Sequence, residues 1–116
     1  MTNEIIIREV IEDYNNYINR VPEGVLDVAN QLRDSNLTEG LNGINQLVEG
    51  INWLISAKNY LQTQNVEASF DETKIVDYLS EINDALEVQD YFLVADLLEY
   101  EISAYFSELS QVEQSN

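Results

Sequence analysis

The sequence predicts an all-α fold, a single-domain bundle of four to five mostly antiparallel helices. Three observations carry that expectation. Pro22 is the only proline, the four glycines stand at 24, 40, 43 and 50, and no strong turn signal follows Gly50. A β protein would show such signals every ten residues or so. Apolar residues recur at spacings of three and four, as one face of a helix requires. The acidic residues fall mostly on the opposite faces.

In residues 4–20, Ile7, Ile11, Tyr14 and Ile18 form one stripe with Val10 and Val21 beside it, while Glu9, Glu12 and Asp13 point away. Pro22 lacks the amide hydrogen that a continuing helix uses, so the sequence predicts a bend there. A short helix carrying Val25, Val28, Ala29 and Leu32 then follows. "DSNL" (34–37) reads as a turn. Leu41, Ile44, Val48, Ile51, Ile55 and Lys58 make the seam of a long helix to about residue 63. Gly40, Gly43 and Gly50 share one side of it, within about 80° of one another at 100° per residue. A glycine face admits a close neighbour; the alternative is a shallow groove beside Trp53 for a partner helix. "TQNVEASFDE" (63–72) reads as a connection, with Ser69 and Glu72 as a capping box. A third helix places Ile75, Leu79, Ile82 and Leu86 on one face and Asp77, Glu81 and Asp84 opposite. The chain reverses near "VQD" (88–90), where Asp90 is a natural N-cap. The last helix gathers Tyr91, Val94, Ala95, Leu98, Ile102, Tyr105 and Leu109 into one stripe. Residues 1–109 thus make the domain, and 110–116 read as a frayed tail.

The 116 residues suffice for one core, and the apolar fraction of 45% is that of a folded protein. Formal charge is −17, from 22 acidic and 5 basic residues. Residues 67–116 hold a net −12, with Lys74 as their only base, against −5 for residues 1–66. Such a field disfavours direct binding to nucleic acid or anionic lipid and favours basic partners. With neither cysteine nor histidine, the chain has no disulfide, thiol nucleophile or imidazole base. The first residues lack the pattern of a signal peptide and no run is long enough to span a bilayer, so a cytoplasmic protein is expected.

Carboxylate pairs at i, i+3 (Glu9 and Glu12, Glu81 and Asp84, Asp96 and Glu99) are the arrangement with which all-α nucleotide pyrophosphatases hold magnesium. The first two pairs point away from their apolar stripes, and basic residues to hold a triphosphate are scarce. No enzyme activity, metal or cofactor is therefore expected. Phe92, Tyr100 and Phe106 lie outside the main arc of the last helix or at its edge, where they either cover the ends of neighbouring helices or make an exposed patch. Together with Trp53 they form the candidate apolar contact for a partner protein, with Glu99, Glu101 and Glu108 steering a basic or amphipathic segment towards it. A homodimer would use the less acidic first half. The alternative class is an acidic mimic of nucleic acid that inhibits a basic protein; a magnesium-dependent nucleotide hydrolase is a third.

The run "ALEVQDYFLVADLLEYEI" (85–102) resembles one in small, acidic, all-helical bacterial proteins of unknown function. It implies a helix–turn–helix and no activity. Ala85, Asp90, Tyr91 and Ala95 also echo the turn of a tetratricopeptide pair, but no 34-residue repeat runs through the chain. In size, charge and helical content the protein resembles the export chaperones of flagellar and type III secretion systems. That resemblance implies shelter for an aggregation-prone helical segment of another protein.

Overall fold

A computed structural model describes residues 2–113 of the chain. It is all-α: α1 spans Thr2–Arg33, α2 spans Leu37–Thr63 and α3 spans Glu72–Glu87. The last helix, α4, starts as Tyr91–Leu97, passes through a π-helical turn at Leu98–Ser103 and finishes as Ala104–Glu108. At 1.5 Å per residue α1 is about 48 Å long, which accounts for a molecule measuring 50 × 21 × 21 Å. α1 is the shared strut. α2 packs along it in an antiparallel hairpin, and α3 with α4 forms a second hairpin whose α4 lies against α1.

The bend predicted at Pro22 does not break the helix. α1 continues through it to Arg33, at the loss of the one hydrogen bond that Pro22 cannot donate to Ile18. Val21, Val25, Ala29 and Leu32 continue the buried stripe of Ile11, Tyr14 and Ile18 beyond the proline. That burial, at about 1.5–3 kcal/mol for each large side chain, outweighs the roughly 3 kcal/mol that an interior proline costs.

The seam of α2 is also rotated from its expected position. Ile44 and Ile51 are buried as anticipated, but their companions are Gly40, Leu47, Leu54, Ala57 and Leu61. Leu41, Val48 and Ile55 are only half-buried. The reason is the glycine side, which the helix turns towards α1. A Cβ on Gly40 would lie 2.6 Å from Leu32 Cδ2, and one on Gly43 2.5 Å from Val28 Cγ2. A Cβ on Gly50 would collide with the Tyr17 ring. The glycines are therefore where α1 side chains enter α2, the close-neighbour arrangement.

α1, α2 and α3 all end in the same way. Ser35, Asn65 and Gln89 have φ of 64°, 62° and 57°. The next amides, of Asn36, Val66 and Asp90, donate back to Gln31, Leu61 and Ala85 carbonyls at 2.8–2.9 Å. These are Schellman closures, made without glycine. Gln89→Gly should therefore raise stability by about 1 kcal/mol, the approximate cost of left-handed backbone for a residue with a Cβ. Chemical denaturation checks it; a loss would mean that the Gln89 side chain makes a contact worth more than its strain.

α3 is capped by Asp71, whose carboxylate accepts from the Lys74 amide at 3.3 Å, rather than by the expected Ser69. Asp90 caps α4 as expected, accepting from the Leu93 amide at 3.1 Å. In the connection between α2 and α3, Phe70 is 1% exposed. Its ring centroid lies 6.3 Å from that of Tyr105 and 6.1 Å from that of Phe106. Tyr78 packs edge-on against Tyr105, whose hydroxyl accepts from the Asp71 amide.

Tyr14 is fully buried, and among the described residues its hydroxyl makes no hydrogen bond of good geometry. Burial, with a smaller push from Tyr105, raises its pKa to about 12, against the opposing effect of the Phe70 backbone. Between pH 10 and 12 the unfolded chain loses this proton and the folded chain keeps it, so stability falls as pH rises through that window. The loss from this group reaches about 2–3 kcal/mol, at 1.36 kcal/mol per pKa unit. Tyr14→Phe should remove this part of the alkaline loss, leaving that of Tyr17 and Tyr105, whose burial also raises their pKa values, and at neutral pH should be neutral or stabilising by about 1 kcal/mol. Urea midpoints at stepped pH measure both effects; an undiminished alkaline loss in the variant would assign it to other groups.

Candidate functional site

The residues predicted to touch a partner separate into three environments. Phe92 is 67% exposed and Tyr100 65% exposed, both on α4. They are eight positions apart, about 12 Å along a helix. Asp96 lies midway, one turn from each, so helical spacing puts all three on one side. Val88 and Leu93, also exposed, extend the apolar surface around the α3–α4 turn. Asp84, Glu87 and Asp90 are exposed nearby in the chain.

Phe106 does not belong to this surface. It is 2% exposed and packs against Phe70 and Tyr105. The cause is the π-helical turn at Leu98–Ser103. One extra residue in a turn rotates everything after it by roughly 100°. Tyr105 and Leu109, which uniform helical spacing places in the core, become half-buried, while Ser103 and Phe106 take the inward positions.

Of the three steering carboxylates only Glu108 is fully exposed; Glu101 is half-buried. Glu99 is engaged. Arg33, in the last turn of α1, donates Nη1 to Glu99 Oε1 at 2.6 Å and Nη2 to Asp96 Oδ1 at 2.8 Å. The guanidinium pKa rises, through the Asp96 bond first and the Glu99 bond second. Those carboxylates join the end of α1 to the middle of α4, and a cation at a helix C-terminus suits its dipole. The Asp96 and Glu99 pair thus faces an arginine. Glu9, Glu12, Glu81 and Asp84 are all exposed. Among the described residues no group of three or more acidic side chains converges as a metal site.

Trp53 is 40% exposed and lies apart, on α2. Its ring meets Tyr17 of α1 edge-on at 6.3 Å, beside a surface groove of about 650 Å³ that Gly50, Asn16 and Arg20 also line. A smaller groove of about 360 Å³ continues past Val21, Gly24 and Gly43. α2 packs on α1 rather than on α4, so Trp53 and the α4 rings make two separate surfaces. Sequence reading did not anticipate Val88 and Leu93. Val88 lies in the turn predicted at 88–90 and Leu93 just beyond it, and apolar residues at a turn with no core position left for them are the signal that points to them.

No helix among the described residues is long and apolar enough to cross a membrane. The chain belongs to the family described as Domain of unknown function (DUF8042), whose model matches residues 9–112. No curated protein and no solved structure matches it.

Proposed function

We propose that this family member is a non-catalytic module that binds another protein, in a chaperone or adaptor role, through the exposed rings of α4. The observation that carries this reading is the placement of Phe92 and Tyr100 on one side of α4 while Phe70, Tyr105 and Phe106 pack together nearby. Large rings held in water at helical spacing suit the apolar face of an amphipathic helix. The net charge of −12 over residues 67–116 favours a partner segment rich in lysine or arginine, chiefly by raising its association rate. Asp84, Glu87, Asp90 and Glu108 supply exposed carboxylates for it. The likeness of residues 85–102 to small acidic bacterial proteins adds no activity that competes with this reading.

Site-specific photocrosslinking tests the proposal. A benzophenone side chain replaces Phe92, Tyr100 or, as a control, Ile5, in cells that express the protein naturally. Positions 92 and 100 should trap one and the same protein, through a segment with basic and apolar residues alternating at helical spacing. Equal labelling of many proteins from all three positions would overturn the reading.

A second reading has its own observation. Asp77, Glu81 and Asp84 are exposed on α3, a row of carboxylates about one helical turn apart. Such a row favours a mimic of nucleic acid that occupies the basic site of another protein. Salt separates the two, because attraction between exposed charges is screened while apolar contact persists.

A further inference from the structure

The chain beyond α4 is hydrogen-bonded to α1 through one side chain, that of Asn15. Leu109 leaves the helix in an extended conformation, φ −69° and ψ 135°. Three residues on, the Val112 amide donates to Asn15 Oδ1 at 2.8 Å, and Asn15 Nδ2 donates to the Val112 carbonyl at 2.9 Å. Val112 is 5% exposed and joins the core cluster, whereas Ser110, Gln111 and Glu113 are exposed. The expected frayed tail thus has an anchor within its described part; residues 114–116 lie outside the described residues.

The chemistry of this contact is that of strand pairing. A carboxamide carries one acceptor beside one donor, as a peptide unit does, so Asn15 reads both main-chain groups of a single residue. Such reading ignores sequence; selectivity comes from the side chain that the backbone grip turns inward. Here that side chain is a β-branched valine between polar neighbours. A groove of about 710 Å³ lies between this segment and residues 62–69, so the segment rests beside open space. Only Val112 is buried within it.

We propose that the Asn15 cradle is a receptor for an extended peptide segment with a β-branched aliphatic residue between polar ones. The chain's own residues 110–113 fill it in cis, and a partner carrying such a segment enters by displacing them. The site is distinct from the α4 rings and stands or falls independently of them.

Full-length Val112→Asp vacates the cradle while leaving Asn15 in place. The probe is a fluorescent peptide of residues 108–113, blocked at both ends. Fluorescence anisotropy should show Val112→Asp binding it at least about tenfold more tightly than the unaltered protein, a difference of about 1.4 kcal/mol. The double variant Asn15→Leu, Val112→Asp should lose that gain. Equal affinity for all three proteins overturns the proposal. Should Val112→Asp fail to fold, amide exchange in the isotope-labelled natural chain decides. Excess unlabelled peptide must accelerate exchange of the Val112 amide, and an unchanged rate overturns the proposal as well.

Discussion

Phe70→Ala is expected to cost about 3–5 kcal/mol of folding stability, the range for emptying a buried aromatic site. Phe70 is the one fully buried side chain of the connection between α2 and α3, and it reaches both Tyr105 and Phe106. Its removal opens a cavity where that connection meets the end of α4, and ends two ring contacts worth about 0.5–1.5 kcal/mol each. The remaining apolar residues of the connection, Val66 and Ala68, are only half-buried. Urea unfolding followed by helical circular dichroism measures the loss. A change below about 1 kcal/mol would mean that the aromatic cluster closes over the gap, and that the bundle does not depend on this anchor.

The joint substitution Phe92→Ser, Tyr100→Ser should have the reverse profile. Both rings are mostly in water, so folding stability should move by no more than about 0.5 kcal/mol, as for surface changes generally. Affinity for the crosslinked partner should fall by at least about tenfold for each ring that acts as an anchor. Phe106→Ser is the informative contrast. It alters the same residue type on the same helix, yet Phe106 is core, so that variant should unfold readily and says nothing of binding. If the double variant also unfolds, the α4 rings are structural and the proposed contact fails.

How far these features could be read in advance depended on whether local pattern or tertiary packing decided them. The helical class, the turns near 34–37 and 88–90, the end of α2 at Thr63 and the Asp90 cap follow from spacing and capping chemistry, both local properties. Pro22 misled because the penalty of a proline is local, whereas the buried stripe that offsets it runs along α1 from Ile11 to Leu32. α2 misled for a related reason. It is apolar on most sides, so the glycines facing Leu32, Val28 and Tyr17, rather than the bulkiest side chains, settle which side meets α1.

The candidate site was legible in part. Phe92 and Tyr100 stand before or within the π-helical turn and are exposed, the second of the two places that spacing leaves open for them. Phe106 stands after the turn and was placed on the wrong side, since no residue type announces a π-helical turn and uniform spacing carries the error forward. Glu99 was assigned to steering because its partner Arg33 is 66 residues away in the chain. Nothing in the neighbourhood of Asn15 hinted at Val112, 97 residues on.

The central claim is that α4 offers an apolar contact to a partner that the acidic surface merely attracts. Its most direct test is the affinity of the crosslinked partner at low and high salt, for the natural chain and for Phe92→Ser, Tyr100→Ser. The expected result is a loss of less than about tenfold on adding salt, confined mainly to the association rate. The double variant should lose more than that at either salt concentration. Binding that collapses with salt and ignores the two rings would contradict the claim and favour the carboxylate row of α3 as the working surface.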